Sequence, residues 1–174
     1  MLGLAFYKVV KTYLLGNDAI VLFALALGGM ALIAFELWHR EKDDAVQEVA
    51  SITYTQAALI GLFQSLALIP GVSRSAASIV GGLALGIRRT AIVEFSFLLA
   101  VPTMLAASGL DLVKNASSFS AADTLMLVIG FAVAFVVALA SIAWLLSYIR
   151  KHSFIEFGVY RILIALAFFF FILR

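Results

Sequence analysis

The stretch LALIPGVSRSAASIVGGLALG, residues 66–86, decides the fold. It sets a Pro-Gly pair, two serines and Arg74 between two apolar pieces, TQAALIGLFQSLALI (55–69) and SAASIVGGLALG (75–86). Each piece falls short of the ~20 apolar residues that a helix needs to cross about 30 Å of hydrocarbon. Pro70 has no N–H and ends the first piece near Ile69. Gly71 takes a positive φ at little cost. The second piece then starts around Ser73 to Ala76, where serine is a favoured N-cap. The pattern predicts two half-length helices over 54–86 that meet at a break, a re-entrant hairpin that enters and leaves on one side.

The rest of the chain supplies the surroundings. Its 174 residues are 64% hydrophobic and 13% charged, with a mean hydropathy of +1.13. Soluble domains are about half apolar, and so few charges cannot cover a globular surface, so most of the exterior faces lipid. The expectation is an all-α polytopic membrane protein, a single membrane domain over 1–174. Four segments reach spanning length: 19–38, 91–112, 122–148 and a short one at 157–173, where Arg174 can snorkel to the interface. Residues 1–18 carry lysines after an apolar start and no small-residue cleavage site; they read as an interfacial helix rather than a signal peptide. With the hairpin re-entrant, Arg40, Lys42, Arg88, Arg89, Arg150 and Lys151 share one side, and Lys8, Lys11, Lys114 and Arg174 the other. The positive-inside rule puts the first group in the cytoplasm. There is no cysteine, and His39 and His152 stand apart in polar segments, so no metal ligand set is assigned. Basic residues scattered in ones and twos argue against nucleic acid.

The hairpin tip has the chemistry of an anion site. A helix start leaves N–H groups unpaired and carries partial positive charge. Arg74 adds a planar fork of donors that matches phosphate oxygens, and Ser73 and Ser75 add hydroxyls. An arginine snorkelling from an ordinary interfacial turn is the bland alternative, but intramembrane charge is costly and usually functional. Gln64 and Ser65, one turn before Pro70, either face the same tip or act as polar glue between helices. Glu94 is expected to cap or pair with the Arg88–Arg89 turn, and Asp123 to be a first-turn helix charge. Glu156 and Arg161 either pair with loop charges, or Arg161 points inward as a second phosphate donor. Gly81, Gly82 and Gly86 are expected to let the half-helices approach their neighbours, and Phe168 to Phe171 to face lipid.

The run GLFQSLALIPGVSRSAASIVGGLALGIRRTAIVEFSFLLAVPTML, residues 61–105, resembles the second signature region of the undecaprenyl-diphosphate phosphatase (bacitracin-resistance) family. That family shows P-G-x-S-R-S-G, then F-S-F-L-L-x-x-P, then a late Y-R; here these are Pro70 to Ser75, Phe95 to Pro102, and Tyr160-Arg161. Ala76 replaces the family's glycine. Gln64 stands where the family's first repeat has a glutamate, and the acidic signature E-G-x-T-E-F-L-P-x-S-S-x-G-H of that repeat does not occur. The resemblance implies the second half of an inverted-repeat fold. It implies hydrolysis of undecaprenyl diphosphate to the monophosphate, recycling the lipid carrier of cell-wall synthesis in the bacterial plasma membrane, at a site opening to the outer face. Arg74 and Ser73 would carry the chemistry, while Gly71, Ser75 and Gln64 bind phosphate. A divalent cation, Mg²⁺ or Ca²⁺, is also implied, as are a polyprenyl diphosphate partner and either a homodimer or a separate first-half chain. A lipid-phosphate transporter or flippase-like module, and an inactive half that needs its partner, are the rival readings.

Overall fold

The computed structural model describes residues 18–41, 43–115 and 121–172. Six α-helices run through them: α1 (Asp18–Trp38), α2 (Tyr54–Gln64), α3 (Arg74–Ala84), α4 (Arg89–Asn115), α5 (Ala121–Ile149) and α6 (Ile155–Ile172). No strand forms among the described residues; one isolated parallel bridge pairs Val46 with Ile87. Three helices are long and apolar enough to cross a membrane: α1, α4, and α5 over Thr124–Ile149. The expected interfacial helix at 1–18 lies almost wholly outside the described residues, as do Lys42, Leu173 and Arg174.

Helices α2 and α3 form the expected pair of half-length elements. Gln56 Nε2 donates to the Leu85 carbonyl at 3.2 Å, and Ser78 Oγ to Gln64 Oε1 at 3.1 Å. One link joins the start of α2 to the end of α3 and the other the reverse, so the two helices run antiparallel. A capping box starts α2: Thr53 Oγ1 accepts from Gln56 N, and Gln56 Oε1 accepts from Thr53 N. The α-helical part stops at Gln64, short of the expected Ile69; Ser65–Leu68 tightens into a 3₁₀ turn. Ile69 is then extended at φ −78°, ψ 119°, the conformation that a following proline demands. At the other end of α3, Gly86 has φ +77°, its N–H reaches Leu83 O, and Ile87 N–H reaches Gly82 O. Those two bonds are a Schellman motif, which closes the helix and turns the chain into α4.

Packing follows small residues. A Cβ on Gly81 would stand 2.5 Å from the Phe63 ring, and one on Gly82 would stand 2.1 Å from Ile92 Cδ1. The pair thus seats α3 against both α2 and α4, around the buried Ile60, Leu83, Ile87 and Ile92. Gly86, by contrast, has open space around its Cβ direction and serves the turn alone. Helices α1 and α6 meet at Gly29 and Gly158, where a Cβ on either would come within 2.8 Å of the other's carbonyl oxygen. Helix α4 starts at Arg89 rather than Ala91 because Glu41 Oε1 accepts from Arg89 N at 2.8 Å and extends the helix backward. It also runs through Pro102, where Thr103 Oγ1 turns back to the Leu99 and Ala100 carbonyls at 3.0 Å.

One expected pairing is overturned. Glu94 is exposed and makes no ion pair among the described residues; Arg89 is bound by Glu36 at 2.7 Å, and Glu41 stands 3.8 Å from both Arg88 and Arg89. The buried run Ala91, Ile92, Val93 turns into the core, which leaves Glu94 on the outward side of α4.

Candidate anion site at the hairpin tip

The tip is built from local rules. Gly71 has φ +93°, and its Cβ direction points at Val21 O, only 2.4 Å from where that atom would stand. The backbone at the tip is therefore pressed onto the first turns of α1. From Val21 to Glu36, on the same helix, is a rise of roughly 22 Å, so the tip lies far from the charged end where α1 meets α4. Ser73 is the N-cap of α3, with its Oγ accepting from Ala76 N at 3.2 Å and standing 3.1 Å from Ser75 Oγ.

Two arginines flank this tip. Arg74, the first residue of α3, donates from Nη2 to Thr103 Oγ1 on α4. Thr103 has already directed its own proton to its helix's carbonyls, so its oxygen is free to accept. Arg161 comes from α6 and donates from Nη2 to the Gly71 carbonyl at 2.8 Å. Its Nε is buried and has no hydrogen-bond partner, the kind of exception that calls for a ligand or function. Gly28 makes room for it: a Cβ there would stand 2.7 Å from Arg161 Nη2.

A cavity of about 330 Å³ opens beside the tip, lined by Ser73, Ser75, Ser96, Tyr160 and Arg161 and otherwise by apolar groups including Ile79, Phe97 and Phe157. One end thus offers hydroxyls and a guanidinium, and the rest a hydrocarbon wall. No carboxylate or imidazole lines it among the described residues. Of the residues singled out in the sequence, Ser73, Ser75 and Arg161 meet in this cavity, while Arg74 lies on the α4 flank and Gly71 forms the turn. Gln64 is engaged by Ser78, and Ser65 Oγ donates to Leu62 O at 2.6 Å. Both therefore bond within the hairpin and do not line the cavity. Glu156 accepts from Tyr148 OH and forms no ion pair with a loop cation among the described residues.

Thr103 escaped the sequence reading, although it is the one polar residue in FLLAVPTMLAA (97–107) and could have been noticed for that reason. A divalent cation does not fit here. The tip offers guanidinium and hydroxyl donors, and among the described residues no group of three or more His, Asp or Glu side chains comes together to hold a metal ion.

Residues 1–167 match the family described as bacitracin resistance protein BacA. Among curated proteins, the chain is 48% identical over 169 residues to an undecaprenyl-diphosphatase of Sulfurihydrogenibium sp. (strain YO3AOP1), covering 97% of this chain and 66% of that protein. It is 45% identical over 168 residues to one of Aquifex aeolicus, covering 97% and 65%, and 44% identical over 171 residues to one of Wolinella succinogenes, covering 98% and 66%. The chain thus spans just under two thirds of the length of these relatives, more than the half expected from its motifs. With its all-helical architecture, its spanning-length apolar helices and the signature at the hairpin tip, the chain belongs to the bacitracin resistance protein BacA family of integral membrane proteins.

Proposed function

We propose that the chain takes part in hydrolysing a polyprenyl diphosphate to its monophosphate, with the hairpin tip gripping the diphosphate. The observation that carries this is the convergence of Ser73, Ser75 and two arginines on one tip, Arg74 held by Thr103 and Arg161 held on the Gly71 carbonyl. The name borne by the relatives, undecaprenyl-diphosphatase, supports it. Water adds to the terminal phosphorus, and the bridging P–O bond breaks with its electron pair leaving on the lipid monophosphate. Arg74, Ser73 and the unpaired N–H groups at the start of α3 neutralise charge on the transferring phosphoryl group. Ser75 and Arg161 hold the phosphate that stays on the lipid, whose first isoprene carbons lie along Ile79, Phe97 and Phe157. The base that takes the proton from water is supplied by a second copy of the chain or by an acidic first repeat. No step is routed through a metal ion.

The hairpin is read as re-entrant, and α6 as a fourth span. Support comes from the cleft shared by Glu36, Arg88, Arg89, Arg150 and Lys151: α1 ends, α4 begins and α5 ends at the same level. The segment between α1 and α4 therefore starts and finishes on one side, while its tip reaches the first turns of α1. By the positive-inside rule that side is cytoplasmic, and the tip opens toward the outer face of the bacterial plasma membrane.

The test is phosphate release from undecaprenyl diphosphate by the purified chain in detergent, beside Arg74→Ala and Arg74→Lys. Arg74→Ala is expected to lose about 10²–10³-fold in rate, the usual cost of deleting one donor to a charged transition state. Full activity in Arg74→Ala would sink the reading. The cavity's lack of carboxylates and imidazoles favours a second reading, binding and translocation of the lipid without hydrolysis. Scrambling of labelled polyprenyl diphosphate across vesicles, with no phosphate released, would select it.

A further inference from the structure

At the end of the bundle remote from the hairpin tip, a cleft of about 610 Å³ opens between the end of α1, the start of α4 and the turn from α5 to α6. Its charged lining comprises Arg88, Arg89, Arg150 and Lys151 against Glu36 and Glu41, with His152 beside them. Both carboxylates are already committed. Glu36, its side chain only 8% exposed, holds Arg89 at 2.7 Å. Glu41 accepts from the Arg89 backbone N–H and faces Arg88 and Arg89 at 3.8 Å. Arg89 is further fixed by the His152 carbonyl at 3.2 Å and by the Phe154 ring, 5.0 Å beneath its guanidinium. Arg150 and Lys151 are exposed and make no ion pair with any described residue. The cleft therefore has a rigid, internally neutralised floor and a rim with two uncommitted cations.

Its height in the membrane follows from the aromatic groups on α5. Trp144, Tyr148 and His152 stack in a column, with ring centroids 5.3 and 3.9 Å apart, and Trp144 is 64% exposed on the outside of the helix. Exposed Trp and Tyr at the ends of spanning helices mark the level of the lipid headgroups. Beyond Trp144 the surface of α5 is apolar and exposed, including Val137 and Leu139. A ligand on the cationic rim thus has hydrocarbon-binding surface directly below it.

We infer that this cleft binds the phosphate of an anionic phospholipid headgroup, with Arg150 and Lys151 as its ligands and the acyl chains lying along α5. A phosphodiester at this level meets both features at once, whereas a free phosphate ion meets only the cations. The inference does not depend on the chemistry at the hairpin tip.

The experiment is native mass spectrometry of the detergent-purified chain titrated with phosphatidylglycerol or, separately, phosphatidylcholine, with inorganic phosphate as a competitor in a third arm. Two surface cations, each contributing roughly fivefold, are expected to favour phosphatidylglycerol by about 25-fold. Arg150→Gln with Lys151→Gln should bring the two lipids within about twofold of each other. The charge-preserving exchange Arg150→Lys with Lys151→Arg should keep the preference, which separates lost charge from misfolding. Lys114→Gln, which removes an exposed cation in the last turn of α4 at the other end of the molecule, should leave it unchanged. Equal binding of the two lipids by the unaltered chain overturns the inference, as does a preference that survives the double Gln variant. Displacement of phosphatidylglycerol by equimolar inorganic phosphate also overturns it, because the site would then take a free anion.

Discussion

Replacing Gly71 with alanine tests whether the hairpin tip is seated on α1. Two terms add at this position. A non-glycine residue at a φ of +93° is strained by about 1–2 kcal/mol. The new methyl would also stand 2.4 Å from Val21 O and 3.0 Å from Ala24 Cβ. The first neighbour is helical backbone, which cannot swing aside as a side chain can, and overpacking of this kind costs about 1–3 kcal/mol more. The total of about 2–5 kcal/mol corresponds to a melting temperature lower by on the order of 10 °C in a chain of this size. Gly86 supplies the internal comparison: its φ is +77°, yet nothing lies within 4 Å of its Cβ position. Gly86→Ala therefore carries only the conformational term and should lower the melting temperature by on the order of 5 °C. The assay is thermal unfolding in detergent, followed by tryptophan fluorescence at one fixed scan rate for all variants. If Gly71→Ala melts no lower than Gly86→Ala, the tip does not press on the Val21 carbonyl and the geometry proposed for the site is wrong.

Two further outcomes are expected. Gly61→Ala, inside α2 with open space at its Cβ, should raise the melting temperature by about 1–4 °C, the effect of about 0.5–1 kcal/mol of helix propensity; a lower value would show that α2 packs there against something. Thr103→Val removes the oxygen that receives Arg74 while conserving volume, and should cut phosphate release about tenfold or more, given the worth of a hydrogen bond to a charged group. Thr103→Ser should restore most of it, and full activity in the valine variant would show that Arg74 needs no such anchor.

What could be read from the sequence was set by rules acting within a few residues. Pro70, Gly71 and Ser73 fix the break, the positive φ and the N-cap through their own covalent geometry and hydrogen bonding, so the tip was legible before any fold was known. Three of the four expected spans, α1, α4 and α5, followed from runs of apolar residues. The errors arise where a partner lies far along the chain. Glu94 was paired with the Arg88–Arg89 turn because it is close in sequence, whereas Glu36 and Glu41 reach that turn through space. The direction of Arg161 stayed undecided because its acceptor, Gly71 O, is 90 residues away, and Arg74 meets Thr103 across 29. Gln64 reads equally as a phosphate ligand or as glue between helices when only its sequence neighbours are in view; Ser78, on the returning helix, donates to its Oε1.

The bridge between Val46 and Ile87 has a consequence for how the hairpin is held. Val46 N–H reaches Gly86 O, and Arg88 N–H reaches Val46 O, each at 2.9 Å, so the strands of chain entering and leaving the hairpin are tied at its base. Treated as a polymer ring, the enclosed segment of roughly 40 residues loses about 3 kcal/mol of entropy on closure. Two backbone hydrogen bonds, at about 0.5–1.5 kcal/mol each, do not reliably offset that loss. The ring stays shut through the interlocking of Ile60, Leu83, Ile87 and Ile92 just above the knot. The clasp thus holds the two half-helices together at the end far from Ser73 and Arg74, while Val21 and Thr103 hold the tip itself, so the hairpin is anchored at both ends.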